Sequence, residues 1–174
     1  MTLSQPMMMK KILALLISPI VAYTASPAWA EDSQSWADQG IQLRFQASPY
    51  TLHFSPKTDH ENVVMVGLER EHKNGKLDGF TLFSNSFGQE SVFIYPWGGI
   101  YHNIWDVNKL SFKWTAGLLY GYKEPYENKV PLNYKGFSPG VIAALAYEFK
   151  PGWSAQVDLL GTAGLMFQIN MPLN

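Results

Sequence analysis

The sequence predicts an all-β fold: an eight-stranded antiparallel outer-membrane β-barrel with a short N-terminal amphipathic helix or segment. Three observations predict it. Residues 110–122 alternate without a break, Leu110, Phe112, Trp114, Ala116, Leu118, Tyr120 and Tyr122 against Ser111, Lys113, Thr115, Gly117, Leu119 and Gly121. A period of two is the signature of a strand with one apolar face. Thirteen residues at ~3.3 Å rise and ~45° tilt cover about 30 Å along a membrane normal, longer than strands of soluble sheets usually run. Turn residues divide the rest of the chain into further segments of the same kind. Ahead of them stands an export signal, and no later segment offers 18 consecutive apolar residues, so a membrane would be crossed by strands rather than by a helix.

Taken in order, residues 1–30 read as a removed signal peptide. Lys10 and Lys11 form its positive region, residues 12–22 an apolar stretch broken by Ser18 and Pro19, and Ala28-Trp29-Ala30 the small-residue cleavage site. Residues 31–46 read as an amphipathic segment with Trp36, Ile41, Leu43 and Phe45 among charges. The barrel domain then occupies 47–174. Its strands are expected at 49–55, 62–71, 77–87, 91–102, 110–122, 141–150, 153–160 and 162–171. Asn74-Gly75 is a strong hairpin signal between the second and third. Pro151-Gly152 turns the chain between the sixth and seventh, and 123–136 is a longer, polar, Pro-containing loop.

Composition bounds the function. The 174 residues carry a formal net charge of −1 and only 16% charged residues, without the basic footprint of a nucleic-acid binder. Zero Cys removes disulfides, thiolate metal sites and cysteine nucleophiles. His53, His60, His72 and His102 show no ligand spacing on one element, and His60 and His72 read as solvated loop residues. No phosphate loop, nucleophile elbow or zinc-protease motif is present. No cofactor or metal is implied.

One constellation carries chemistry. His53 closes the first strand and Asn85-Ser86 closes the third, so an antiparallel strand between them returns both to one rim. Serine ester chemistry needs a hydroxyl, an imidazole to take its proton and a polar group to orient the imidazole. Ser86, His53 and Asn85 supply those types. A strand-end His and an Asn-Ser turn serve equally well as hydrogen-bonded structural residues, and spacing alone does not separate the two.

At this point a resemblance enters. Tyr50-Thr51-Leu52-His53-Phe54, a polar loop, a Gly-bearing strand, the Asn-Gly turn and Phe83-Ser84-Asn85-Ser86-Phe87 resemble the lipid A palmitoyltransferase (PagP) family. It extends to Thr115-Ala116-Gly117-Leu118, Val130-Pro131-Leu132 and Ser138-Pro139-Gly140. The resemblance implies an eight-stranded barrel behind an amphipathic helix. It implies transfer of a palmitoyl chain from a phospholipid donor to a lipid A acceptor at the outer leaflet. The family's His would be His53 and its serine Ser86. Asn85 stands where the family carries aspartate, and the chain ends Asn170-Met171-Pro172-Leu173-Asn174 with no terminal aromatic.

An acyl chain would need an apolar interior. Gly117, Leu119 and Gly121 with Ile142, Ala144 and Ala146 form an inward face that either leaves room for a chain or packs strand on strand. Proline cannot donate a ladder hydrogen bond, so Pro49, Pro131 and Pro139 are candidates for unpaired gaps. In the resembled family such gaps admit lipids sideways; for Pro131 a plain loop role is the other reading. The expected partners are phospholipid, lipid A and outer-membrane lipids around a monomer. The alternatives are a non-catalytic barrel that binds lipid or stabilises the membrane, a small pore, and a soluble lipocalin-like barrel in the periplasm.

Overall fold

The structure, a computed structural model, describes residues 40–55 and 60–174. The expected signal peptide, and the amphipathic segment up to residue 39, lie outside the described residues. The chain forms eight strands: β1 (Gln42–His53), β2 (Met65–Glu71), β3 (Leu77–Ser84), β4 (Glu90–His102), β5 (Leu110–Tyr120), β6 (Phe137–Lys150), β7 (Trp153–Leu159) and β8 (Gly164–Pro172). Each pairs antiparallel with its neighbour, and β1 pairs with β8, closing the barrel. Closure satisfies the edge strands that an open sheet would expose. Apart from two single-turn 3-10 segments, the described residues contain no helix, and none long and apolar enough to cross a membrane.

β2 starts three residues later than expected, at Met65, and β3 ends three earlier, at Ser84; two boundaries differ by more. β1 begins at Gln42 rather than after residue 46, so the barrel takes in the last residues of the expected amphipathic segment. Arg44, Gln46 and Ser48 are buried on the inner face while Leu43, Phe45 and Ala47 alternate with them. Charged and apolar residues two apart fit a strand between a polar lumen and an apolar exterior as well as they fit a helix. β6 begins at Phe137, four residues ahead of the expected start.

The outer surface is apolar. Ile94, Leu118, Val141, Leu145 and Leu159 are exposed around the middle, with Val141 73% exposed. Tyr50, Phe54 and Phe137 are exposed towards one end, Tyr101, Trp105, Tyr147 and Phe149 towards the other. The rim that carries residues 54–55, 60–64, 85–89, 121–136 and 160–163 is here called the loop rim; the opposite one, with the start of β1, the end of β8 and the tight turns, the turn rim. At the turn rim, Asn74-Gly75 makes the expected hairpin: His72 N–H donates to the Lys76 carbonyl at 2.9 Å and Gly75 takes φ of 76°.

The lumen has two halves. Towards the turn rim it is polar and filled. Lys113 Nζ meets Glu69 Oε1 at 2.6 Å and donates to Gln156 Oε1 at 2.9 Å, and both charged groups are fully buried. Gln46, Tyr95, Asp158 and Asn170 complete the network through Glu69 and Gln156. Towards the loop rim the inner face turns apolar: Val63, Met65 and Met166 form a buried cluster with Phe83 and Leu160 packed on it. Leu119, Gly117 and Thr115 pair with Ser138, Gly140 and Ile142 along the same inner face. Ala144 and Ala146 pair instead with Lys113 and Ser111. That part of the expected acyl-lining face therefore lies in the polar half, where the small side chains give room to the buried lysine.

Long strands overhang short neighbours at the loop rim. β1 pairs with β2 only through Ser48, so Tyr50–His53 is paired on its β8 side alone, and Pro49 lies in the β-bulge where the β1–β8 register shifts. β6 pairs with β7 only from Ala143 onwards, leaving 137–142 paired on the β5 side alone. Pro49 and Pro139 each sit in one of these openings. Pro131 lies in the β5–β6 loop, its carbonyl accepting from the Ser138 hydroxyl.

Candidate functional site

The loop rim brings His53 and Ser86 together. β1 delivers His53 as its last residue, on the inner face shared with Thr51. β3 ends at Ser84, and the following turn carries Ser86 inward, where it is buried. His53 Nε2 and Ser86 Oγ are 2.6 Å apart. With Nδ1 protonated, the serine hydroxyl donates to Nε2, the geometry in which an imidazole can take its proton.

Asn85 does not take the place expected of it. Its side chain is fully buried, but it faces its own turn. Oδ1 accepts from Phe87 N–H at 3.0 Å and Gln89 N–H at 3.1 Å, and Nδ2 donates to Ser91 Oγ at 3.1 Å and Gln89 Oε1 at 3.4 Å. An Asn that accepts from the backbone two residues on is a local turn former. It holds the loop that presents Ser86, and its hydrogen bonds do not reach the His53 ring. Gly88, with φ of 75°, completes the turn against the Glu61 carboxylate.

Rings hold His53 from the other side. His60 lies 4.8 Å from it between ring centroids, tilted by 47°. Phe87 meets His60 edge-on at 5.3 Å and stacks on Tyr126 at 4.2 Å. Tyr122 meets Phe87 in a T-shaped arrangement at 6.3 Å between ring centroids; burial pushes its hydroxyl up to about 12. Lys129 Nζ sits 5.7 Å from the Phe87 ring, within reach of a cation–π attraction. Gln89 bonds the carbonyls of Lys123 and Glu124, tying the β5–β6 loop to the β3–β4 turn.

His60, expected as a solvated loop residue, is partly buried in this site. The clue was its position: it falls between the first and second strands, on the stretch of chain that must return to the rim where His53 ends. His72 and His102 are both at the turn rim. His72 Nε2 lies 2.6 Å from Asp78 Oδ2, and His102 Nε2 lies 3.0 Å from Glu71 Oε1. Among the described residues, no group of three or more His, Asp or Glu is arranged to hold a metal ion.

The chain matches no protein-family model, and no curated protein matches it. The site is therefore read from its own geometry: a hydroxyl bonded to an imidazole, at the mouth of an apolar half-lumen, beside two openings in the sheet.

Proposed function

We propose that the protein is an outer-membrane acyltransferase that moves a palmitoyl chain from a phospholipid to lipid A, as the resemblance to the PagP family implies. The observation that carries the reading is the 2.6 Å contact between His53 Nε2 and Ser86 Oγ at the loop rim. Short turns on one rim and longer loops on the other are the pattern of outer-membrane barrels, whose longer loops face outwards. The exposed apolar belt with aromatic residues at both ends supports residence in a bilayer. The removable signal expected at residues 1–30 would export the chain.

In this reading His53 is the general base and Ser86 the nucleophile; Asn85 shapes the turn. Donor and acceptor reach the site through the openings at Pro49 and Pro139, and the acyl chain lies along Met65, Phe83, Leu119 and Ile142. The buried Lys113–Glu69 network forms a floor below. A polar, filled floor also argues against the small pore, since eight strands leave an interior just wide enough for side chains to fill. The steps use side chains alone.

The test is mass spectrometry of lipid A from cells with and without the protein, alongside membrane fractionation. A gain of one C16 acyl group that depends on Ser86 supports the reading. Unchanged lipid A, with the protein in the outer membrane, would leave the non-catalytic lipid-binding barrel as the better account. Recovery as a soluble periplasmic monomer would overturn the membrane assignment itself.

A further inference from the structure

Acyl transfer places negative charge on the ester oxygen, and enzymes meet that charge with preorganised N–H donors, often on the backbone just after the nucleophile. Here three of those donors are occupied. Phe87 N–H and Gln89 N–H go to Asn85 Oδ1, and Gly88 N–H goes to the Asn85 carbonyl at 2.9 Å. The turn that presents Ser86 has closed on itself.

A different donor lies beside it. His60 Nδ1 is buried and has no hydrogen-bond partner, as is true of Thr51 Oγ1 on β1 and Arg44 Nε towards the turn rim; of the three, only the imidazole packs directly on the His53 ring. Buried polar atoms in native proteins are almost always satisfied, so an exception calls for an explanation. A ring needed only to pack between His53 and Phe87 would serve as well without a nitrogen. Residue 60 is also fastened to the nucleophile, because Glu61 N–H donates to the Ser86 carbonyl at 2.8 Å. The ring is clamped between His53 and the edge of Phe87, so its nitrogen is preorganised and unspent.

We propose that His60 is the oxyanion-binding residue of this site, its Nδ1–H meeting the ester oxygen as Ser86 attacks. The inference rests on the acyl-transfer reading of the His53–Ser86 pair. As the bond from Ser86 Oγ to the carbonyl carbon forms, the hydroxyl proton passes to His53 Nε2 and the carbonyl π pair moves onto oxygen, facing His60. When the carbonyl re-forms, the bond to the glycerol oxygen breaks, and that oxygen leaves as lysophospholipid with the proton from His53. A hydroxyl of the acceptor then attacks the acyl-serine in the same way, its proton passing to His53 and from there back to Ser86.

The experiment uses the full chain in detergent micelles with two probes: dipalmitoyl phosphatidylcholine, read as lysophosphatidylcholine released with water as the acyl acceptor, and a long-chain alkyl fluorophosphonate, read as labelling of Ser86. In the second, the serine oxygen bonds phosphorus, fluoride leaves and the P=O oxygen occupies the oxyanion position. Heat-modifiable migration on gels checks that each variant is a closed barrel. His60→Phe keeps the ring and removes the donor; its kcat and labelling rate should fall about 10²–10³-fold, as for loss of one oxyanion donor. His60→Gln and His60→Asn each return an N–H, and the better of them should recover at least about tenfold of that loss. A His60→Phe barrel within about threefold of wild type on both probes overturns the proposal, as does failure of both amides to improve on Phe. If Ser86→Ala is labelled like wild type, the acyl-transfer reading itself falls and takes the proposal with it; a Ser86-dependent signal indifferent to His60 overturns the His60 role alone.

Discussion

The two halves of the lumen solve the problem of buried polar groups in opposite ways. Near the turn rim, Lys113, Glu69, Gln156, Asp158 and Asn170 are buried together, and each finds its partner within the set. Near the loop rim the lining is built on the apolar cluster of Val63, Met65 and Met166. Among the polar atoms that share it with Ser91 and Ser138 are a 2.6 Å hydroxyl–imidazole pair and two buried atoms without a partner, Thr51 Oγ1 and His60 Nδ1, beside strand segments paired on one side only. A satisfied network is a structural anchor. An incomplete one costs stability and makes sense where a ligand completes it. The contrast teaches that burial alone does not mark a site: the most buried charges here are the floor.

The largest expected effect lies in the loop-rim half. His53→Ala or Ser86→Ala should lower transfer about 10²–10⁴-fold, the usual weight of general-base catalysis, with unfolding little changed. Lipid A acylation measured in outer membranes checks this, and equal acylation by both variants would remove the pair from the chemistry. In the other half the effect should fall on stability. Lys113→Met strands Glu69 in the interior and should cost about 3–5 kcal/mol, while pairing it with Glu69→Leu should recover much of the loss. Denaturant unfolding of the refolded barrel measures both, and a single-variant loss below about 1 kcal/mol would mean that the floor is not an anchor.

Outside the lumen, Leu145→Arg places a charge mid-strand on the apolar belt and should cost about 2–4 kcal/mol in a bilayer. Indifference to that change in lipid vesicles would argue for a soluble barrel. Smaller again is Asn85→Ala, expected to lose about 1–3 kcal/mol by leaving the half-buried Phe87 and Gln89 N–H groups without their acceptor. The smallest effect should come from Asn85→Asp, which keeps both backbone hydrogen bonds: transfer should stay within about threefold of wild type, because the side chain faces its turn. A tenfold or greater rise on lipid A assays would show instead that residue 85 reaches His53 during turnover.

Much of the fold was legible. Strict alternation over residues 110–122 needs no neighbours to declare a strand, and the Asn74-Gly75 turn set the register of β2 against β3. The start of β1 was not legible, because Arg44, Gln46 and Phe45 are ambiguous until it is known that the lumen beside them is polar. The His53–Ser86 pairing could be inferred from strand parity alone: the ends of β1 and β3 are separated by two crossings, out along β2 and back along β3, and must share a rim. The same parity applied to His60, yet a histidine in a polar loop gives no sign of burial until Phe87 and Tyr126 fold over it.

By itself the sequence determined what depends on local periodicity: eight strands, their faces, the tight turns and the rim on which each end falls. Only the tertiary structure decided which side chains complete one another. Asn85 lies next to Ser86 in the chain and was expected to orient His53, but hydrogen bonding is directional, and the two nearby N–H groups of its own turn captured its oxygen. The small residues of β6 share one face in the sequence, but their depth in the barrel is set by register against β5, which placed Ala144 beside a buried lysine and Gly140 in the apolar half. Periodicity tells a residue which way to point; the partner it meets there is a property of the closed barrel.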